Sequence, residues 1–202
     1  GDISDGQTVE SLQGGDLTFS VDGGTVRVNG IEVTTANIQT SNGVVHLIDG
    51  VLLEATTVTE RAILTPTFST LADLVVQAGL DDDLNGSGPF TVLAPTNQAF
   101  LDALDANDNG QIDGNEVPSQ SQLESILTYH VIAGQAVESS AISDGQSVET
   151  LEGSDVTFGV SGGTITVNPS ADNATVAAPD VQVSNGIIHG IDTVLTPPSG
   201  SN

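Results

Sequence analysis

The chain has 202 residues, 37% of them hydrophobic, which suffices for one large or two small domains with a real core. Twenty-seven acids face only Arg27 and Arg61, with no lysine; the formal charge of −25 repels nucleic acid and anionic lipid, attracts divalent cations and suits a salty or calcium-rich setting. The absence of cysteine excludes disulfides and thiolate metal sites. No stretch reaches the roughly 18 apolar residues of a membrane helix, and GDISDGQTVE does not read as a signal peptide, so these residues are expected to be soluble, without membrane insertion.

Leu17, Phe19 and Val21 alternate with polar residues, Gly23-Gly24 offers a turn with positive φ, and Val26 and Val28 return, which predicts a hairpin. Asn42-Gly43 reads as a second hairpin dipeptide between apolar runs. The period then changes. Phe68, Leu71, Leu74, Val75 and Ala78 fall at helical spacing, with Thr70 just inside the start and Gly79 as a stop. Asp81-Asp82-Asp83 reads as a solvated loop. FTVLAP at 90–95 predicts a strand ended by Pro95. Thr96 or Asn97 then caps a short helix carrying Phe100, Leu101 and Leu104, and Leu123, Ile126, Leu127 and His130 mark one face of another. Alternation returns at Val156, Phe158 and Val160, a Gly162-Gly163 turn, then Ile165, Val167 and the dipeptide Asn185-Gly186. A helical half followed by a β half predicts an α+β fold.

The β half occurs twice. SDGQTVESLQGGDLTFSVDGGTVRVN at 4–29 matches SDGQSVETLEGSDVTFGVSGGTITVN at 143–168, and IQTSNGVVHLIDGVL at 38–52 matches VQVSNGIIHGIDTVL at 181–195. Nothing before residue 4 corresponds to 56–142. The expected organisation is therefore a C-terminal half-domain at 1–54, a complete domain at 55–198 and a tail at 199–202.

DANDNGQIDGNE at 105–116 fits the calcium-loop pattern D-x-[DN]-x-[DN]-G-x5-E at every specified position. Calcium takes six to eight hard oxygens. Asp105, Asn107 and Asn109 would give side-chain oxygens and Gln111 its carbonyl. Asp113 would act through a water and Glu116 as a bidentate carboxylate, with Gly110 making the sharp turn. Pro118 requires the outgoing helix to begin late. With no second loop to pair with, Ca2+ is expected to serve a structural purpose rather than a switch.

Three ordered motifs resemble the fasciclin-like domain family. They are Thr91-Val92-Leu93-Ala94-Pro95-Thr96-Asn97-Gln98-Ala99-Phe100, the pair Tyr129-His130, and Val183-Ser184-Asn185-Gly186-Ile187-Ile188-His189-Gly190-Ile191-Asp192-Thr193-Val194-Leu195; the last is repeated at Ser41–Asp49. The resemblance implies a β-wedge or sandwich flanked by helices, and an extracellular or cell-surface adhesion or matrix role without enzymatic activity. The expected partners are other copies, neighbouring fasciclin-like domains, or a cell-surface or matrix ligand. It further implies an adhesion region at Tyr129, His130, Val131 and Ile132.

His46 and His189 share strand faces with Val44, Ile48, Ile187 and Ile191, so both are expected to be hydrogen-bonded core residues, like His130 at a helix end. No G-x-S-x-G elbow, P-loop or dinucleotide fingerprint is present. Asn85-Gly86-Ser87 and Asn173-Ala174-Thr175 fit the glycosylation pattern. The first expectation for function is an extracellular adhesion or matrix module stabilised by calcium, as a subunit of a filament or tandem array. The alternative is a small-ligand module holding a lipid or glycan in an apolar cleft between helices and sheet.

Overall fold

The computed structural model describes residues 3–12, 16–22, 24–29, 31–52, 56–168 and 170–198. The chain divides into two compact units, Gly1–Ala55 and Thr56–Asn202. The tail at 199–202 and Gly23 of the first turn lie outside the described residues.

Unit 1 is a five-stranded antiparallel sheet in the order β1 (Thr8–Glu10), β2 (Asp16–Asp22), β3 (Thr25–Val28), β4 (Ile31–Gln39) and β5 (Val44–Ile48). Phe19 pairs with Val28 and Val21 with Val26, as the alternation predicts. Arg27 sits opposite Glu32 and meets its carboxylate at 3.6 Å. Among this unit's described residues Val28 is the one buried hydrophobic side chain, whereas Val44, Val45 and Leu47 on β5 are about half exposed.

Unit 2 begins with three helices, α1 (Val58–Leu64), α2 (Ser69–Ala78) and α3 (Asp81–Leu84). α1 was not anticipated by apolar spacing. It is fixed by a capping box in which the Thr57 hydroxyl accepts the Glu60 N–H and the Glu60 carboxylate accepts the Thr57 N–H at 3.0 Å. α2 stops where Gly79 turns left-handed at φ 74°, which costs glycine nothing. The triple aspartate, read above as a loop, is helical: the three acids occupy the first turn of α3, where the helix dipole favours negative charge, and Leu84 anchors that turn in the core.

β6 (Phe90–Pro95) follows, then α4 (Asn97–Leu104), α5 (Gln120–Tyr129), β7 (Val131–Ala133), β8 (Ser147–Glu149), β9 (Asp155–Ser161), β10 (Thr164–Val167), β11 (Ala174–Val183) and β12 (Gly186–Ile191). The sheet order is β7-β6-β12-β11-β10-β9-β8. β12 is antiparallel to β11 but parallel to β6, with Gly186 opposite Phe90 and Ile188 opposite Val92. One core packs helices on the sheet through Phe68, Leu71, Val75, Phe100, Leu127 and Ile188; the other lies within the β half around Val156, Phe158, Val167 and Ile191.

Gly162 and Gly163 form the expected turn, with φ of 59° and 84°. Asn185-Gly186 behaves differently from a positive-φ hairpin dipeptide. Neither residue has positive φ; the Asn185 side chain instead accepts the Val58 N–H at 3.0 Å and donates to the Leu84 and Gly86 carbonyls at 2.8 and 2.9 Å. A Cβ on Gly186 would sit 2.1 Å from the Phe90 carbonyl oxygen, so glycine is required here by close backbone approach.

Between α1, α2, α5 and β6 lies a cavity of about 20 Å³ lined by Val58, Thr59, Ala62, Val75, Val92 and Leu127, among others. The Thr59 hydroxyl is buried there without a hydrogen-bond partner. Thr59→Val keeps the shape and removes the desolvated hydroxyl, so it is expected to raise the unfolding free energy by about 1 kcal/mol, read by urea denaturation.

Candidate metal centre

The loop at 105–116 hangs between two well-founded helices. The Thr96 hydroxyl caps α4 by accepting the Ala99 N–H at 3.2 Å, and Phe100, 1% exposed, pins the helix to the core. α4 ends on Asp105, whose N–H still reaches the Leu101 carbonyl at 2.9 Å. On the far side Ile112 and Val117 pack against the core. α5 begins only at Gln120, after Pro118 and a Ser119/Gln122 capping box, as the proline requires.

Within the loop Asp105 accepts the N–H groups of Asn109 at 3.1 Å and Gly110 at 2.7 Å, and the Asn109 side-chain oxygen accepts the Gln111 N–H at 2.8 Å. Gly110 is left-handed at φ 79° and Asp108 at 55°. Glu116, the twelfth residue, folds back: its two oxygens accept the Ala106 and Asp113 N–H groups at 3.0 and 2.9 Å. The Asn107 amide nitrogen lies 2.9 Å from Glu116 and 3.2 Å from Asp113, and that of Asn109 lies 3.0 Å from Asp113. Asn107, Asn109, Asp113 and Glu116 therefore converge, while Asp105 holds the backbone of the turn. Gln111 enters through its backbone, so its carbonyl is what it could offer a cation.

Among the described residues no three His, Asp or Glu side chains assemble as a metal cluster. Of the three acids in the expected set, Asp113 and Glu116 share the Asn107 amide, while Asp105 is turned to the backbone N–H groups of Asn109 and Gly110. Turning the Asn107 amide by half a turn would present its oxygen in place of nitrogen, whereas the Asn109 oxygen is held by the Gln111 N–H. The donor set fits a hard divalent cation.

The Tyr-His region has a different character. Tyr129, His130, Val131 and Ile132 are all 3% exposed or less, so none offers a surface to a receptor in this fold, contrary to the role the resemblance implied. The Tyr129 hydroxyl donates to the Asp155 carbonyl and accepts from the Asn168 side chain, both at 3.0 Å, and burial raises its pKa. Tyr129→Phe is expected to cost about 1 kcal/mol in denaturant unfolding. His130 donates from Nδ1 to the Ile126 carbonyl and accepts the Leu195 N–H at Nε2, each at 2.8 Å. Burial pushes its pKa down to about 4, against the opposing pull of Ile126 and the more distant Asp172.

His189 is 0% exposed; its Nε2–H meets the Val137 carbonyl at 2.8 Å and its Nδ1 accepts the Asp180 N–H at 3.2 Å. His130 and His189 thus spend both ring nitrogens on the backbone. His46, expected in a core, is exposed, because in unit 1 nothing covers its strand among the described residues. Sequence reasoning also missed Asn168, whose left-handed backbone (φ 48°) lets its side chain bridge Tyr129 and the Thr157 N–H; asparagine's tolerance of positive φ was the available signal.

A mixed fold, with a sheet wedge and flanking helices, defines the class. Residues 1–54 and 66–197 match the fasciclin domain, and the chain belongs to that family. It is 43% identical to protein sll1483 of Synechocystis sp. over 71% of this chain and 75% of that protein. It is 37% identical to transforming growth factor-beta-induced protein ig-h3 of Sus scrofa over 87% of this chain, which spans only 25% of that protein. A solved domain pair from the insect cell adhesion molecule Fasciclin I superposes with a TM-score of 0.66 at 25% identity, covering 90% of this chain and 68% of that one. No described helix is long and apolar enough to cross a membrane.

Proposed function

We propose that the chain is an extracellular adhesion or matrix module, part of a tandem array or filament of fasciclin-like domains, in which Ca2+ at residues 105–116 acts as a structural staple. Its likeness to a domain pair of an insect cell adhesion molecule supports the adhesive part of this reading. The observation that carries the calcium part is the convergence of Asn107, Asn109, Asp113 and Glu116, with Asp105 at the head of the same turn, in a loop whose acids have no cationic side chain beside them among the described residues. A bound cation would relieve the mutual repulsion of these carboxylates and lock the α4–α5 connection, with an affinity in the roughly 10⁻⁴ to 10⁻³ M class of extracellular modules.

Its partners are other copies, neighbouring fasciclin-like domains or a matrix ligand, and no catalytic role is assigned. The cavity beside Thr59 has room for about one water, which gives a lipid or glycan no support as its occupant. Light scattering across protein concentration, in millimolar calcium and then in chelator, tests the reading. The expected result is a mass that grows in calcium and falls back with chelator; a monomer under every condition would remove the filament.

A further inference from the structure

Two carboxylates of the 105–116 loop are bridged by an amide. The Asn107 side-chain nitrogen lies 2.9 Å from Glu116 Oε1 and 3.2 Å from Asp113 Oδ2, so its NH2 group donates to both acids. Carboxylates drawn together in this way repel one another unless something positive stands between them. No arginine supplies it: Arg27 pairs with Glu32 in unit 1, and Arg61 lies in the last turn of α1. The partial positive charge of the Asn107 NH2 group does.

Asn109 is not equivalent. Its nitrogen also meets Asp113, at 3.0 Å, but its oxygen is held by the Gln111 N–H at 2.8 Å, so the backbone fixes which way round that amide lies. The Asn107 oxygen accepts no hydrogen bond among the described residues, and its amide is oriented by the two carboxylates alone. A cation between Asp113 and Glu116 repels the NH2 group and attracts the amide oxygen. The exchange needs only a half-turn about the terminal side-chain torsion, which for asparagine is broad and soft.

We infer that Asn107 is a built-in surrogate for the calcium ion, closing the loop in its absence and turning its amide to become a ligand when the ion arrives. This deepens the calcium reading above and rests on it. With the bridge in place Glu116 keeps the Ala106 and Asp113 N–H groups at 3.0 and 2.9 Å without metal, so the α4–α5 connection stays closed. The bridge also weakens calcium binding, because the ion must displace contacts already made. A carboxylate at this third position of the loop would add ligand charge and have no such contacts to give up.

Hydrogen exchange in chelator on wild type, Asn107→Ala and Asn107→Asp, followed by calorimetric titration of calcium into each, tests the inference. The Ala106 and Asp113 amides of wild type are expected to be protected without metal. Asn107→Ala removes the bridge and adds no charge, and should lower that protection roughly tenfold. Asn107→Asp adds repulsion and should lower it further, with the Phe100 and Leu127 amides unchanged because unit 2 stays folded. Calcium should then restore the protection in Asn107→Asp and bind it roughly tenfold more tightly than wild type. Equal protection of the three chains in chelator, or calcium bound no more tightly by Asn107→Asp, overturns the inference. Calcium bound by none of the three, with protection still dependent on residue 107, would instead overturn the calcium reading itself and take the amide's turn with it.

Discussion

Acidification from neutral pH to about 4 is expected to cost unit 2 roughly 3 kcal/mol through His130 alone. The imidazole is fully enclosed, its Nδ1–H is held by Ile126, and its Nε2 must stay bare to accept the Leu195 N–H. Protonation at Nε2 would put a charge in the core and break that bond. The folded-state pKa of about 4 lies below the ordinary 6.5, so between those values the unfolded chain binds a proton that the folded chain refuses. This contribution is whole above pH 6.5, declines as pH falls through 6.5 and levels off below about 4. Acid also neutralises carboxylates in a chain of net charge −25, relieving repulsion and acting in the opposite sense. Urea unfolding of wild type and His130→Gln across this range separates the two. The difference between the chains should shrink as pH falls; a difference constant with pH would show that His130 does not titrate in the fold as described.

Calcium is expected to raise the unfolding free energy by about 2 kcal/mol at roughly thirty times its dissociation constant, and Glu116→Gln to abolish nearly all of that gain. Glu116 closes the loop from its twelfth position and already reaches both the Ala106 and Asp113 N–H groups. The amide keeps one oxygen but loses the charge and the bidentate grip. Without metal the variant keeps an acceptor for only one of those two N–H groups, so it should be slightly less stable than wild type in chelator, and the calcium-dependent gain is compared within each chain. Thermal unfolding in millimolar calcium and in chelator reads both effects. A calcium gain of equal size in the variant would place the ion elsewhere on the acidic surface.

Much of the fold was legible because it is written in local period. The apolar spacing of Phe68 to Ala78, the alternation of Val156, Phe158 and Val160, and the left-handed stop at Gly79 each lead directly to an element. The fasciclin-like mixed fold followed from motif order. What escaped depends on distant partners or on short signals. α1 has only seven residues and announces itself by Thr57 and Glu60, not by an apolar stripe. Asn185-Gly186 resembles a turn dipeptide, and its tie to Leu84, about a hundred residues earlier, has no local trace. His46 has the same neighbours as His189 in sequence but not in space, so periodicity assigned both to a core and only one has it. The loop at 105–116 stood out because its pattern of acids and asparagines is confined to twelve residues; the asparagine NH2 groups that meet Asp113 and Glu116 leave no mark in that spacing.

Isothermal titration of calcium into the whole chain, beside Glu116→Gln, tests the central claim most directly. The account predicts one site with a dissociation constant of roughly 10⁻⁴ to 10⁻³ M, lost in the variant and not restored by magnesium, which demands a tighter octahedral cage. Saturable binding unchanged by Glu116→Gln, or no binding in that range, would contradict it.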